Sequence, residues 1–436
     1  MFPAFTRLFI TTVLFSSLIL TANAQPPASK PILIRAGKLY DSEKNSFLSK
    51  QEILIQDGVI RQIGPRLSAP KGAIVLDLSR HTVAPGLIDA HTHLLLNQKQ
   101  TRTGMEDASK IPAEERMRQA LAFAKADLEA GITTVRDVGN SGQFLDVQLR
   151  KLLAEGKAPG PTMYVSGPIL SPPGGQFGKL APADTFVIKQ EYRVIRGAAD
   201  ARAAVLEHLK QGVNVIKVCM NTDNRVLAPE EIKAIVATAH ENGIPVTAHA
   251  TYDESARDAV LAGVDGIEHG YALSDSTLIL MAKRGAYVVP TDVSREKAAI
   301  MVAGIGMKGK EAEDYIATSL NTFHDRIRRA REKGVMIVAG SDYYFDIKGV
   351  GRGEGSVDVV LSYFEAGLSA ADALRTATYH AAKALGILTH TGILKKGMKA
   401  DLVAFDGDLE QTFPRSLTKV KTVIKGGKMV YQAAEK

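Results

Sequence analysis

A single cysteine, Cys219, in 436 residues excludes an intrachain disulfide, so stability has to come from packing or from a bound metal. Long apolar runs are also lacking. The stretch from Leu8 to Leu20, preceded by Arg7, covers about thirteen residues where a spanning helix needs ~20. Ala22-Asn23-Ala24 follows it as a small-residue cleavage pattern, with no twin arginine and no lipobox cysteine. Residues 1–24 therefore read as a secretory signal cleaved near Ala24, leaving a periplasmic or secreted product without a membrane anchor. Charge of one sign is scarce as well: the formal net charge is +7, and losing Arg7 takes it to +6. That excess is scattered apart from a lysine-rich C-terminal region, and it lacks the arginine–aromatic interleaving of nucleic-acid surfaces, which excludes nucleic acid as a partner.

What is present is an ordinary globular composition, 45% apolar and 23% charged with 38 glycines, enough for a sizeable core. Between about residues 83 and 342 one pattern recurs, in which a helical stretch ends in glycine and a short β-branched strand follows. It reads "EAGITTVRDV", "KQGVNVIKV", "ENGIPVTAHA", "LAGVDGIEHG", "KRGAYVVPT" and "EKGVMIVAGSD". Glycine suits a helix C-terminus that turns through the left-handed region. Near-continuous apolar strands are those of a parallel sheet covered on both faces. With "TVAPGLIDAHTHL" first and "TMYVSG" third, eight strands alternate with helices. The spacing predicts an α/β chain whose residues 83–390 form a (β/α)8 TIM-like barrel. The flanks, residues 31–82 and 391–436, carry short strands with turn signals, and neither is long enough alone. They are expected to pair into one small β-sandwich domain built from both chain ends.

In such a barrel the chemistry comes from the C-terminal ends of the strands. Strand one ends with His91 and His93, strand four carries Lys217, strands five and six end at His249 and His269, and strand eight ends at Asp342. Side chains at i and i+2 of a strand point the same way, so His-x-His aims two imidazoles at one point. Neutral imidazole nitrogen suits zinc and neighbouring transition metals. A lysine inside an apolar strand is costly to bury without a partner. Cys219, two residues beyond it, reads as a small core residue.

The order His-x-His, lysine, histidine, histidine, aspartate, with "PGLIDAHTHL", "GIEHG" and "GILKKGMKADLV", resembles the amidohydrolase superfamily in its branch with two metals bridged by a carboxylated lysine. The resemblance implies that His91, His93 and Asp342 bind the more buried of two divalent ions, zinc being the expected metal. It implies that His249 and His269 bind the second, and that Lys217 bridges them as a CO2-derived carbamate. Burial lowers a lysine pKa and two adjacent cations stabilise the anionic carbamate. Water held between the ions would lose a proton and attack, with Asp342 as the general base and then the acid.

Within the superfamily the sequence is similar to the imidazolonepropionase-like group that includes Xaa-Pro and Xaa-Arg dipeptidases, which implies hydrolysis of a peptide-like or N-acyl amino acid amide. The same scaffold leaves lactone, cyclic-amide or phosphoester hydrolysis and mononuclear deamination open, and Lys217 argues against the last. Two positions depart from the group: Thr251 stands where a tyrosine is usual, with Tyr252 next, and Gln176 stands where "Gly-Gly-His" would put histidine. Gln176, Arg225, Tyr252, Tyr343 and Arg352 are the candidates to hold a small, carboxylate-bearing substrate. Homo-oligomerisation stays open.

Overall fold

The computed structural model describes residues 30–177, 180–222 and 225–434; the expected signal segment, residues 1–24, lies outside them. Among the described residues no helix is long and apolar enough to cross a membrane.

Both chain ends enter one seven-stranded sheet. From one edge to the other it runs Lys428–Gln432, Val420–Lys425, Leu402–Phe405, Ile74–Pro85, Ile32–Asp41, Ser46–Gln56 and Val59–Gly64. The N- and C-terminal parts meet where Leu402–Phe405 pairs antiparallel with Ile74–Pro85. The sheet is not flat: Ile60 N–H donates to Met398 O at 2.9 Å, and Ala400 N–H donates to Gly58 O at 2.9 Å. It thus wraps around a core of its own that includes Ile34, Ile53, Ile60, Leu402 and Ile424.

The middle of the chain is a TIM-barrel-like α/β arrangement of parallel strands and outer helices. Leu87–Thr92 pairs with Ile132–Asp137, which pairs with Thr162–Val165. A second arc links Tyr192–Val194, Ile169–Ser171, Ile216–Cys219, Val246–Ala250, Gly266–His269 and Tyr287–Val289. Apart from Thr162–Val165 and Tyr192–Val194, which carry half-buried positions, these strands are buried on both faces, as the apolar runs required. The helices before them end where expected, with Gly263 and Gly285 as left-handed C-caps.

Two strands differ from the expected eight. The third is interrupted between Val165 and Ile169, because Pro168 has no N–H to offer and Gly167 turns to φ +68°. The eighth shrinks to a single parallel bridge, Val288 to Ile337. Hydrogen bonds still connect the arcs there: Val338 N–H donates to Val288 O, Ala90 N–H to Ala339 O and Asp342 N–H to His91 O.

The loops after the first three strands are locked by one buried ion pair. Arg116, on the helix Ala113–Glu129, donates from Nη1 to Glu191 Oε1 at 2.6 Å, from Nε to Leu95 O and from Nη2 to Asn140 O. Gly142 N–H donates to the other Glu191 oxygen. The two side chains are 1% and 0% exposed. Removing one partner of such a pair leaves a buried charge uncompensated. Glu191→Ala is therefore expected to lower unfolding free energy by about 3–5 kcal/mol, read from urea titration, whereas a change under ~1 kcal/mol would mean the loops are held by other contacts.

Candidate metal centre

The strand ends converge as alternation demanded. His91, His93, Lys217, His249, His269 and Asp342 line one cavity of about 310 Å³. His91, His269 and Asp342 can each place a ligand atom within 4.8 Å of the others. The imidazole rings meet edge to face, with centroids 4.6 Å apart for His249 and His269, and 5.1 Å for His91 and His93.

Hydrogen-bond partners define the tautomers. His91 Nδ1 lies 2.7 Å from Glu268 Oε2; an ionised carboxylate only accepts, so Nδ1 carries the hydrogen and Nε2 is bare. His93 Nδ1 lies 2.7 Å from Gly139 O, so in neutral His93 Nε2 is bare too. Thr291 donates its hydroxyl to Pro290 O, so His269 must donate from Nδ1 to Thr291 Oγ1 at 2.8 Å, leaving its Nε2 free. The Nε2 atoms of His91 and His93 stand 3.2 Å apart, and Asp342 Oδ1 is 3.4 Å and 3.2 Å from them. Lone pairs face one another with no hydrogen between them. A proton shared with Asp342 or a bound cation relieves that arrangement, and the imidazole and carboxylate donors fit a divalent metal.

Electrostatics point the same way. Burial holds His91 and His269 well below the usual imidazole range and takes His249 down to about 3. All three are therefore neutral rings, able to offer a lone pair. Burial also lowers Lys217 to about 8. Burial alone would raise Asp342, but the imidazoles of His91 and His93 and the Lys217 ammonium outweigh it, and the carboxyl sits below its ordinary value. The backbone is strained at the same places: His269, Thr291 and Asp342 take φ of +68°, +60° and +49°. Such conformations cost about 1–3 kcal/mol each and persist where surrounding contacts over-determine them.

Gln176 lines the cavity, its Nε2 2.7 Å from His249 Nδ1 and its Oε1 accepting from Tyr192. The other expected substrate contacts are elsewhere. Tyr252 is 51% exposed and is not among the lining residues. Tyr343 packs under Arg352, while the next residue, Tyr344, faces the cavity, because the left-handed turn at Asp342 reverses which side chain points inward. Arg352 is buried over Phe123 and donates to His93 O at 2.8 Å, so the carboxylate role expected of it is set aside: its guanidinium braces the first loop instead. Arg225 lies on the two-residue strand Arg225–Val226, and its side chain is outside the described set. Cys219 is a core residue, packed near Ile169 and Tyr192, with burial pushing its thiol up to about 12.

Sequence reasoning passed over Glu268, although "GIEHG" contains it, and over Arg136 in "TTVRDV". Glu268 accepts from Arg136 at 2.5 Å, from Thr247 and from His91. Arg136 also donates to Ala90 O and to the Tyr287 hydroxyl. The available signal was the one that singled out Lys217, a charge inside an apolar strand. Glu268→Gln is expected to destabilise by about 3–5 kcal/mol because Arg136 loses its counter-charge. Adding Arg136→Met should recover part of that in a double-mutant cycle, and strict additivity would show that the two do not act as a pair.

The sequence pattern of the amidohydrolase family, by its description "Amidohydrolase family", matches residues 82–430. Ochratoxinase of Aspergillus niger is 26% identical over 93% of this chain and 88% of its own. A solved Xaa-Pro dipeptidase with methionine bound in its active site superposes with a TM-score of 0.78 at 28% identity, covering 93% of this chain and all of that one. A prolidase complexed with N-methylphosphonate-L-proline gives a TM-score of 0.79 at 26% identity over 93% of this chain and 100% of that one.

Proposed function

The chain belongs to the amidohydrolase family and is a hydrolase of carbon–nitrogen bonds, and from that premise we propose that it cleaves a peptide-like or N-acyl amino acid amide at two divalent ions, zinc being the expected metal. The reading takes the parallel segments as a closed (β/α)8 barrel capped by a small sandwich from both chain ends. His91, His93 and Asp342 would hold one ion and His249 and His269 the other, with Lys217, once carboxylated, as the shared anionic ligand. The observation that carries the proposal is the set of bare nitrogen and oxygen lone pairs meeting between His91, His93 and Asp342. Bound there, the metals would polarise the substrate carbonyl and lower the pKa of a water molecule.

The residues around them do the rest. Glu268 and the Gly139 carbonyl keep His91 and His93 in the tautomer that presents Nε2. Asp342, ionised although buried, takes a proton from the attacking water and returns it to the leaving nitrogen. Leu96, Met105, Ile169, Phe177 and Tyr344 form apolar walls, which exclude bulk water and accept an apolar side chain of the substrate. Gln176, Asn140 and Tyr192 line the same cavity and supply the hydrogen bonds that orient it. Support for an amide substrate comes from the ochratoxinase and dipeptidase relatives.

Lys217 must be a free amine to take up CO2, and its pKa of about 8 makes roughly a tenth of it free at pH 7. After chelation, regain of turnover with zinc at a constant concentration of dissolved CO2, bicarbonate being adjusted at each pH, should therefore quicken about tenfold per pH unit below 8 and level off above it. A pH-independent regain would mean that no lysine carbamate forms. Elemental analysis should return two ions per chain, and one tightly bound ion would sink the bridged site. Asp342→Asn should lower kcat by about 10²–10⁴-fold on dipeptides or N-acyl amino acids. Turnover of lactones or phosphoesters with none of these amides would overturn the substrate class.

A further inference from the structure

A second cavity, of about 650 Å³, opens at the N-terminal end of the strand Thr162–Val165, the end away from the histidines. Three separate segments put a cation on its wall. Arg150 comes from the helix Leu145–Ala154, Lys399 from the turn before Leu402–Phe405, and Lys425 from the end of Val420–Lys425. One carboxylate answers them: Asp401 Oδ2 is 3.1 Å from Lys399 Nζ, while Asp401 Oδ1 is taken by the Gly426 N–H. Lys399 also reaches Thr162 Oγ1 at 3.4 Å, and Arg150 donates one N–H to Asn214. Lys425 is only partly exposed, and among the described residues its ammonium has neither a hydrogen bond nor an ion pair. Burial, and then the neighbouring Lys399 ammonium, hold its pKa below the ordinary lysine value. Three cations therefore share one space with a single carboxylate, leaving an excess of about two positive charges, an arrangement that is unfavourable unless an anion enters.

We propose that this cavity binds the phosphate group of a small molecule. A phosphate brings a charge of about −1.5 to −2 and three or more strong acceptor oxygens, which matches the excess charge. The free edge of the Arg150 guanidinium offers the forked donor geometry that phosphate accepts, and the two lysines act as point charges beside it. Leu153, Pro161, Met163 and Tyr164 complete the lining with apolar surface, suited to the organic part of a phosphate monoester. The occupant would join the composite sheet to the barrel without touching the amide-cleaving site. The proposal is independent of the metal-centre reading.

The test uses the whole protein in thermal melts and calorimetric titrations with inorganic phosphate and with phenyl phosphate, against chloride at matched ionic strength. Saturable binding with a rise in Tm of a few degrees is expected for phosphate and not for chloride. Tighter binding of phenyl phosphate assigns the site to a monoester, and equal binding assigns it to free phosphate. Lys425→Met should melt at or above the parent without phosphate, lose the phosphate response, and keep turnover within twofold. Lys399→Gln, on a different segment, should weaken phosphate binding at least tenfold. No saturable response in the parent, or an undiminished one in either variant, overturns the proposal. An undiminished response in both variants would place the anion at the metal centre instead.

Discussion

Glu268 is the contact on which the centre of the molecule depends. It has no solvent exposure, and its two oxygens are divided between Arg136 and His91. A carboxylate in that position without partners would be far too costly to bury. With them, it neutralises a guanidinium from strand two and sets the proton of an imidazole from strand one. Arg136 in turn binds Ala90 O and the Tyr287 hydroxyl, so one ionic cluster reaches strands one, two, six and seven. The geometry of His91 is thus a property of the core rather than of a loop.

The same economy explains where strain is tolerated. His269, Thr291 and Asp342 hold positive φ angles that ordinary side chains avoid. Each is tied on more than one side: His269 and Thr291 to each other, and Asp342 to the backbone of His91. Their conformations therefore turn the His269 and Asp342 side chains toward one cavity, with Thr291 holding the His269 ring. A centre whose donors are aligned before any ion arrives gives up little ordering entropy on binding.

The residues that carry the site were legible because strand alternation and strand-end position are local properties. His91 and His93 face one way by spacing alone, and Lys217 stands out by its charge among apolar neighbours. Glu268 and Arg136 carried the same mark, but each is uninterpretable singly, since what makes them stable is a partner 132 positions away in the chain. Loop residues were harder for a different reason. Whether Tyr343 or Tyr344 enters the cavity depends on one left-handed dihedral at Asp342, which no periodicity encodes. The two flanking β segments were recognisable as partners from their length and turn pattern, whereas the curl that closes their sheet comes from contacts such as Ile60 with Met398 and is a property of the folded chain.

The cavity above the ligands is held by contacts of another kind. Its first wall loop is pinned by Arg116 and Glu191 to the second and third, and by Gln98 N–H to Tyr344 O after the eighth strand. Arg352 fastens the carbonyl of His93 itself. The loops around the cavity are consequently coupled to one another, and they touch the histidine cluster through backbone carbonyls and through the side chains of Gln176, on His249, and Tyr344, on His93. Phe177 and Tyr344 can then change without disturbing the tautomers of His91, His93 and His269, because those are set by Glu268, Gly139 and Thr291, whereas Gln176 hydrogen-bonds directly to His249. The polar cluster is thus anchored in the core of the barrel-like sheet and the cavity walls in its loops, the division that lets one scaffold carry different pockets.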